Sequence, residues 1–154
     1  MGYVEELRAL VGHRPLILVA GVALVFDEQE RLLLIRRADT DEWAAPGGLM
    51  EIGETIEETA RREVFEETGV HLPELRFLGM LSGPDIHVCY PNGDEVYGVI
   101  AVYTGRHDRQ PLKADPAEAT DIRFFDVDRL PRPLRPTTPM FLELYRQAQA
   151  RGCG

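Results

Sequence analysis

Residues 48–70 read "GLMEIGETIEETARREVFEETGV" (Gly48–Val70), and the stretch marks a helix from both ends. Thr55-Ile56-Glu57-Glu58 has the spacing of a capping box, with Thr55 taking an amide of the first turn and Glu58 reaching back. Gly69 suits the left-handed position just past a helix C-terminus. The two signals together predict a helix near 55–69. That helix carries an electrostatic problem. Glu63, Glu66 and Glu67 lie in its last turns, where the dipole favours cations by a few tenths to about 1 kcal/mol. Glu63 and Glu67, four apart, add a repulsion of roughly 0.2–0.5 kcal/mol. At about 100° per residue, Glu67 falls about 40° to one side of Glu63 and Glu66 about 60° to the other. All three share a face bordered by Ile56, Ala60 and Val64. Carboxylates beside a core-facing stripe are partly desolvated and need a positive partner. Arg62 brings one charge to three acids, and a hard divalent cation would supply the rest. The competing reading is a solvated acidic face, the usual meaning of a charge run.

Outward from the helix, "LILVAGVALVF" (16–26) is long, apolar and rich in branched residues, a buried strand. "DEQE" (27–30) is a polar turn and "RLLLIRR" (31–37) the returning strand. "ADTDEWAAPGG" (38–48) reads as a loop, with Trp43 favoured for the core. Beyond the helix, 75–81, 85–90, 95–105 and 120–125 read as strands, and "PNGD" (91–94) as a tight hairpin turn. "YVEELRALV" (3–11) is a short amphipathic helix with Val4, Leu7, Leu10 and Val11 on one stripe. Residues 129–139 are too proline-dense for regular structure, and a last helix over 139–150 starts with Pro139 at its first position. Strands, a central helix, more strands and a terminal helix indicate an α/β layered domain with a mixed sheet, one domain over 1–154.

The chain has 154 residues, 44% hydrophobic and 28% charged, a composition expected of a folded soluble protein. No apolar run is long enough to span a membrane. The acidic N-terminus does not read as a signal peptide, and Glu6 rules out a myristoylation reading of Gly2. Cys89 and Cys153 make no framework of bridges or metal pairs. A cytoplasmic protein is expected, without membrane partners. A net charge of −9 argues against nucleic-acid binding. A polyanionic small substrate would need cations supplied locally, by arginines or by metal.

Read from Gly48, the same stretch resembles the Nudix box: Gly, five residues, Glu, seven residues, Arg-Glu, an aliphatic, any residue, Glu-Glu, any residue, Gly, an aliphatic. Gly48, Glu54, Arg62, Glu63, Val64, Glu66, Glu67, Gly69 and Val70 fill every specified place without a gap. A looser resemblance runs from about Ile17 to Leu130. It implies an α/β/α sandwich around a mixed β-sheet, and a hydrolase that splits a nucleoside diphosphate linked to another group with Mg²⁺ or Mn²⁺. It further implies Glu66 and Glu67 as principal metal ligands and Glu63 as a ligand or as the base for water. Arg62 would orient Glu63, the Gly47 carbonyl would complete the metal shell, and Glu54 would steady the loop or bind metal indirectly. Metal ions suit the chemistry, since cleaving a pyrophosphate bridge is mostly positioning and charge neutralisation.

Outside the box, Glu118 stands where some members of the family carry a further ligand or base, with Asp115, Asp121 and Glu95 as competitors and an exposed loop acid as the plain alternative. Arg36 and Arg37 end a strand, and alternation lets only one of them face substrate phosphates; a solvating pair is the other reading. Tyr90 and Tyr97 either stack on a base or pair across strands. His87 and Cys89 read as structural, neither having a metal partner at a telling spacing. Pro84 lies near the place where ADP-ribose-hydrolysing members carry a proline, a slight lean towards ADP-ribose or nucleotide sugars. Nucleoside triphosphates are the main alternative substrates, and a non-catalytic nucleotide-binding module the alternative class. The terminal helices suit association, so a homodimer is expected.

Overall fold

β1 (Leu16–Phe26) is apolar at nearly every position because, from Gly21 onward, both of its faces are buried. The computed structural model describes residues 2–152, which leaves Cys153 outside the described residues. One edge of β1 pairs in parallel with β7 (Glu95–Arg106) along its whole length, from Leu16↔Val96 to Phe26↔Arg106. The other edge is shared: β4 (Gly47–Leu49) pairs antiparallel with Ala20–Val22, and β2 (Leu32–Arg37) takes over at Phe26↔Leu32. β3 (Trp43–Ala44) and β8 (Ala119–Phe125) flank β2, while β5 (Arg76–Leu81) and β6 (His87–Cys89) pair with β7. The sheet is therefore mixed, with eight strands.

Strand alternation sorts the core into two layers. Ala23, Val25, Leu33, Ala101 and Tyr103 pack against Ala60 and Val64 of α2 (Ile56–Thr68). Val22, Leu24, Phe26, Leu32 and Leu34 pack against Phe141 and Leu142 of α3 (Thr137–Gly152). This is the expected α/β/α sandwich around a mixed sheet. Trp43 is in the core at 5% exposure.

Several boundaries differ from the expectations. Residues 38–48 are not a loop throughout, since β3 lies within them and β4 begins there; the Pro46-Gly47-Gly48 run reads as a breaker, but β1 offers an open edge that local signals do not announce. The final helix runs over 137–152 and not 139–150. Pro139 is tolerated as its third residue because the first-turn amides have no partner inside a helix. The strand expected over 85–90 shrinks to His87–Cys89, with Ile86 closing a turn onto the Gly83 carbonyl. In α1 (Tyr3–Val11), Leu10 is 85% exposed and off the packed stripe. At about 100° per residue it sits some 120° from Val4, whereas Leu7 and Val11 stay within about 60°.

Candidate active site

The box helix is terminated as its sequence requires. Thr55 is the N-cap: its Oγ1 accepts the Glu58 amide at 3.1 Å, and the Glu58 carboxylate accepts the Thr55 amide at 3.0 Å. Gly69 takes a φ of 77° and returns its N–H to the Phe65 carbonyl. At the start of the box, a Cβ on Gly48 would stand 2.6 Å from each oxygen of the Glu63 carboxylate. Only the bare α-carbon of glycine lets that carboxylate lie where it does.

Arg62 is the hub of the polar cluster. Its Nε and Nη2 donate to both oxygens of Glu54 at 2.6 and 3.0 Å, and Nη2 also reaches the Leu49 carbonyl. Its Nη1 donates to Glu63 at 2.9 Å and to Glu66 at 3.2 Å. Glu54 takes two more donors, the Glu51 amide and the Thr59 hydroxyl. The Arg62 hydrogen bonds hold the Glu54 carboxyl down at about 2. One guanidinium thus ties the loop before the helix to the acidic face of the helix.

Glu67 is different. It is only 4% exposed, and among the described residues its one short hydrogen bond is accepted from the Gly47 amide at 2.9 Å. Burial first, then the nearby Glu63 charge, pushes its carboxyl up to about 8; the Gly47 bond and Arg37 oppose this without cancelling it, and Glu118 adds to it. Glu63 is also raised by burial, with Arg62 pulling the other way and Glu66 and Glu118 adding repulsion. The acids outnumber their cations, and the deficit centres on the most buried member.

The other residues singled out from the sequence fall as follows. Glu118 lies on an exposed turn whose backbone carbonyl accepts the Ala38 amide, and its charge is felt by both Glu63 and Glu67. Its competitors are engaged elsewhere: Asp121 with Arg123, Glu95 with His87, and Asp115 with the Ala117 amide. Of the strand-end pair, Arg37 acts on Glu67, while Arg36 forms an exposed pair with Asp41. Arg37 is itself bridged by Asp39 at 2.7 Å. Tyr97 pairs across strands, its ring stacked on His87 at 4.5 Å. Tyr90 lies under the Arg135 guanidinium.

Four participants were missed in the sequence. Asp39 and Asp41 sit two and five residues beyond the arginines they bridge, a local charge pattern that was visible. Thr59 is fully buried and donates its hydroxyl to Glu54; on the wheel it falls between Glu63 and Glu66, so nothing in the helix pattern announced its burial. Arg135, whose Nη1 is buried without an acceptor, carries no signal in a proline-rich connection. His87 and Cys89 read as structural, with no metal partner at a telling spacing along the strand; the hairpin brings Glu95 beside them, so that all three side-chain donor atoms lie within 4.8 Å of one another. That neighbour arrives through strand pairing and not through spacing along one strand.

Comparison with known proteins agrees with this geometry. A sequence model of the NUDIX domain matches residues 15–145. The chain is 34% identical over 124 residues to an ADP-ribose pyrophosphatase of Methanocaldococcus jannaschii, a match covering 77% of this chain and 66% of that protein. The chain spans between 38% and 66% of the length of the first curated relatives it matches. Among solved structures, the MutT NUDIX hydrolase of Burkholderia pseudomallei is 27% identical with a TM-score of 0.71, covering 84% of this chain and 98% of that one. The NUDIX domain of Shewanella oneidensis NrtR, cocrystallised with ADP ribose, has the same fold at 22% identity and a TM-score of 0.72, covering 97% and 99%.

Proposed function

The chain belongs to the NUDIX domain family, and from that premise we propose a divalent-metal-dependent hydrolase of the diphosphate linkage in a nucleoside diphosphate joined to another group. The observation that carries the proposal is the charge deficit around Glu67, a buried carboxylate crowded by Glu63 and Glu118 and answered only by an amide and the partly neutralised Arg37. Oxygen donors of this kind suit a hard cation, so the residues present fit Mg²⁺ or Mn²⁺. Glu63, Glu66, Glu67 and the Gly47 carbonyl would hold it. When bound, such an ion neutralises phosphate charge and lowers the pKa of a water.

The chain's own groups do the positioning. Arg62, anchored by Glu54, holds Glu63 in orientation and keeps Glu66 on the same side. Glu118 stands at the rim with its carboxylate open to solvent, a proton acceptor for the attacking water. Arg37 and the unsatisfied Nη1 of Arg135 are the cations for the diphosphate oxygens. The ADP-ribose pyrophosphatase relative and Pro84 support a lean towards ADP-ribose or a related nucleotide sugar. The proposal extends to a cytoplasmic homodimer; among the described residues no helix is long and apolar enough to cross a membrane. Light scattering that reads the mass of one chain would remove the dimer.

The test is a substrate panel with Mg²⁺ or Mn²⁺, containing ADP-ribose, other nucleotide sugars, dinucleoside polyphosphates and nucleoside triphosphates. ADP-ribose is expected to give AMP and ribose phosphate. Pyrophosphate released from triphosphates alone would move the assignment to triphosphate hydrolysis. Saturable nucleotide binding without turnover of anything would identify a binding module.

A further inference from the structure

We propose that the β6–β7 hairpin carries a second metal site, for Zn²⁺, formed by His87, Cys89 and Glu95. The antiparallel register dictates the arrangement. His87 and Cys89 are two apart on β6 and share a face. Cys89 is directly opposite Glu95 and His87 opposite Tyr97, so the four side chains form a two-by-two patch. Alternation along β7 puts this patch on the face of Ala101 and Tyr103, which pack with α2 further along the sheet. The hairpin turn keeps the register: the Tyr90 amide bonds the Asp94 carbonyl at 2.8 Å, and Gly93 has a φ of 94°.

Within the patch the donor atoms already converge. His87 Nε2 lies 2.7 Å from Glu95 Oε1 and 3.8 Å from Cys89 Sγ, and all three donor atoms lie within 4.8 Å of one another. Ligands at zinc bond lengths of about 2.0–2.3 Å and tetrahedral angles stand roughly 3.3–3.6 Å apart. The His87–Cys89 spacing is a few tenths of an ångström wider than that. The His87–Glu95 spacing is shorter because the two side chains are hydrogen-bonded, a contact that a bound ion would replace. The ring stacked on Tyr97 fixes which way Nε2 points.

The donor set selects the ion. A thiolate and an imidazole with one carboxylate favour Zn²⁺ over Mg²⁺ or Mn²⁺, which prefer oxygen. Three protein ligands leave a fourth position open to water, and the exposure of His87 and Cys89 gives the ion a path in. In the described residues this is the compact three-donor group, and it shares no residue with the acids of α2. Zinc here would pin the three-residue β6 to β7.

Cobalt is the probe that separates the two sites. In a Cys153→Ser background, with Mg²⁺ saturating the oxygen site, the full chain is titrated with Co²⁺. The expected result is a near-ultraviolet cobalt–thiolate band that saturates at one equivalent per chain and is displaced by Zn²⁺. Zn²⁺ should also slow alkylation of Cys89 about tenfold or more, while His87→Ala and Glu95→Gln each weaken binding by at least the roughly 10–100-fold that loss of an outer-shell partner costs. Circular dichroism confirms that the variants are folded, and their hydrolytic activity with Mg²⁺ should be unchanged. Absence of the band overturns the proposal. So does a band indifferent to His87→Ala and Glu95→Gln, which would mean a lone thiol, or one that saturates at half an equivalent, which would mean a site shared between chains.

Discussion

Replacing Glu67 by Gln should stabilise the metal-free protein at alkaline pH while abolishing its activity. Glu67 has a folded pKa of about 8 against an ordinary 4.5. A group raised on folding contributes its stability in full below the unfolded pKa. That contribution declines as pH rises above 4.5, and the decline ends once the folded pKa is passed. Between pH 4.5 and about 8 the wild type therefore loses about 5 kcal/mol through this one group, at 1.36 kcal/mol per pH unit. The amide does not ionise. It keeps an oxygen for the Gly47 N–H, and its unpaired NH₂ costs about 1–3 kcal/mol at every pH. The stability gap between variant and wild type, measured by urea unfolding in EDTA, should rise by about 4–5 kcal/mol from pH 4.5 to 8 whatever that offset is. Comparing the two proteins cancels the other titrating groups, although coupling to Glu63 stays within the gap. Magnesium should narrow that gap. Wild type gains about 2.7 kcal/mol at a hundredfold excess over Kd, the variant much less, and its turnover falls by several powers of ten. A gap that stays flat across the pH range, or a fully active Gln variant, would refute the reasoning.

Gly48→Ala puts a methyl against the Glu63 carboxylate. Because a flexible side-chain end can swing away, the fold should survive by circular dichroism while kcat drops at least tenfold; unchanged kcat would show that the position of Glu63 is immaterial. Glu54, held at about 2 by Arg62, works with the opposite sign: its stabilisation is full above 4.5 and lost as pH falls through 2. Glu54→Gln should accordingly flatten the acid limb of a pH–stability profile between 4.5 and 2. Arg37→Ala should raise KM for the diphosphate substrate about tenfold, ~1.4 kcal/mol of lost binding, while Arg36→Ala stays within about twofold; equal effects would mean that neither arginine is placed by the strand.

What could be read in the chain and what could not divide along a physical line. The box helix was legible at both ends because capping is local chemistry: Thr55, Glu58 and Gly69 announce themselves within three or four residues. Alternation foretold that Arg36 and Arg37 diverge, although not that Asp39 and Asp41 would bridge them. The layered α/β architecture with a mixed sheet followed from the order of the elements, and the α/β/α sandwich from the resemblance of the box. What stayed hidden depends on pairing at a distance. β4 exists because β1 has a free edge from Ala20 to Val22, and Glu95 meets His87 because two strands fall into register. Leu10 was misplaced for a simpler reason, an arc drawn too wide on a nine-residue helix.

The glycines of the site explain how one helix can hold acids that repel one another. A Cβ on Gly21 would come within 2.9 Å of the Ile56 carbonyl and 3.0 Å of the Ala60 amide, so β1 receives the first turns of α2 at backbone contact. Gly47 sits against the Gly21 carbonyl and Val22, bringing its amide to Glu67, and Gly48 leaves room for the Glu63 carboxylate. Three small residues on two adjacent strands thus set the depth at which α2 lies. That depth is what desolvates Glu67. Ala60 and Val64, both fully buried, anchor the helix on the same arc, and burying a valine side chain is worth about 1.5–3 kcal/mol. Apolar contacts of that size can hold a carboxylate in an unfavourable place. A surface helix with the same acids would spread its charge into solvent and gain little from a cation. Here burial holds Glu67 protonated up to about pH 8 in the apo fold, and a bound cation would replace that proton, so affinity for a hard cation is set by the packing beneath the glutamates as well as by the glutamates themselves.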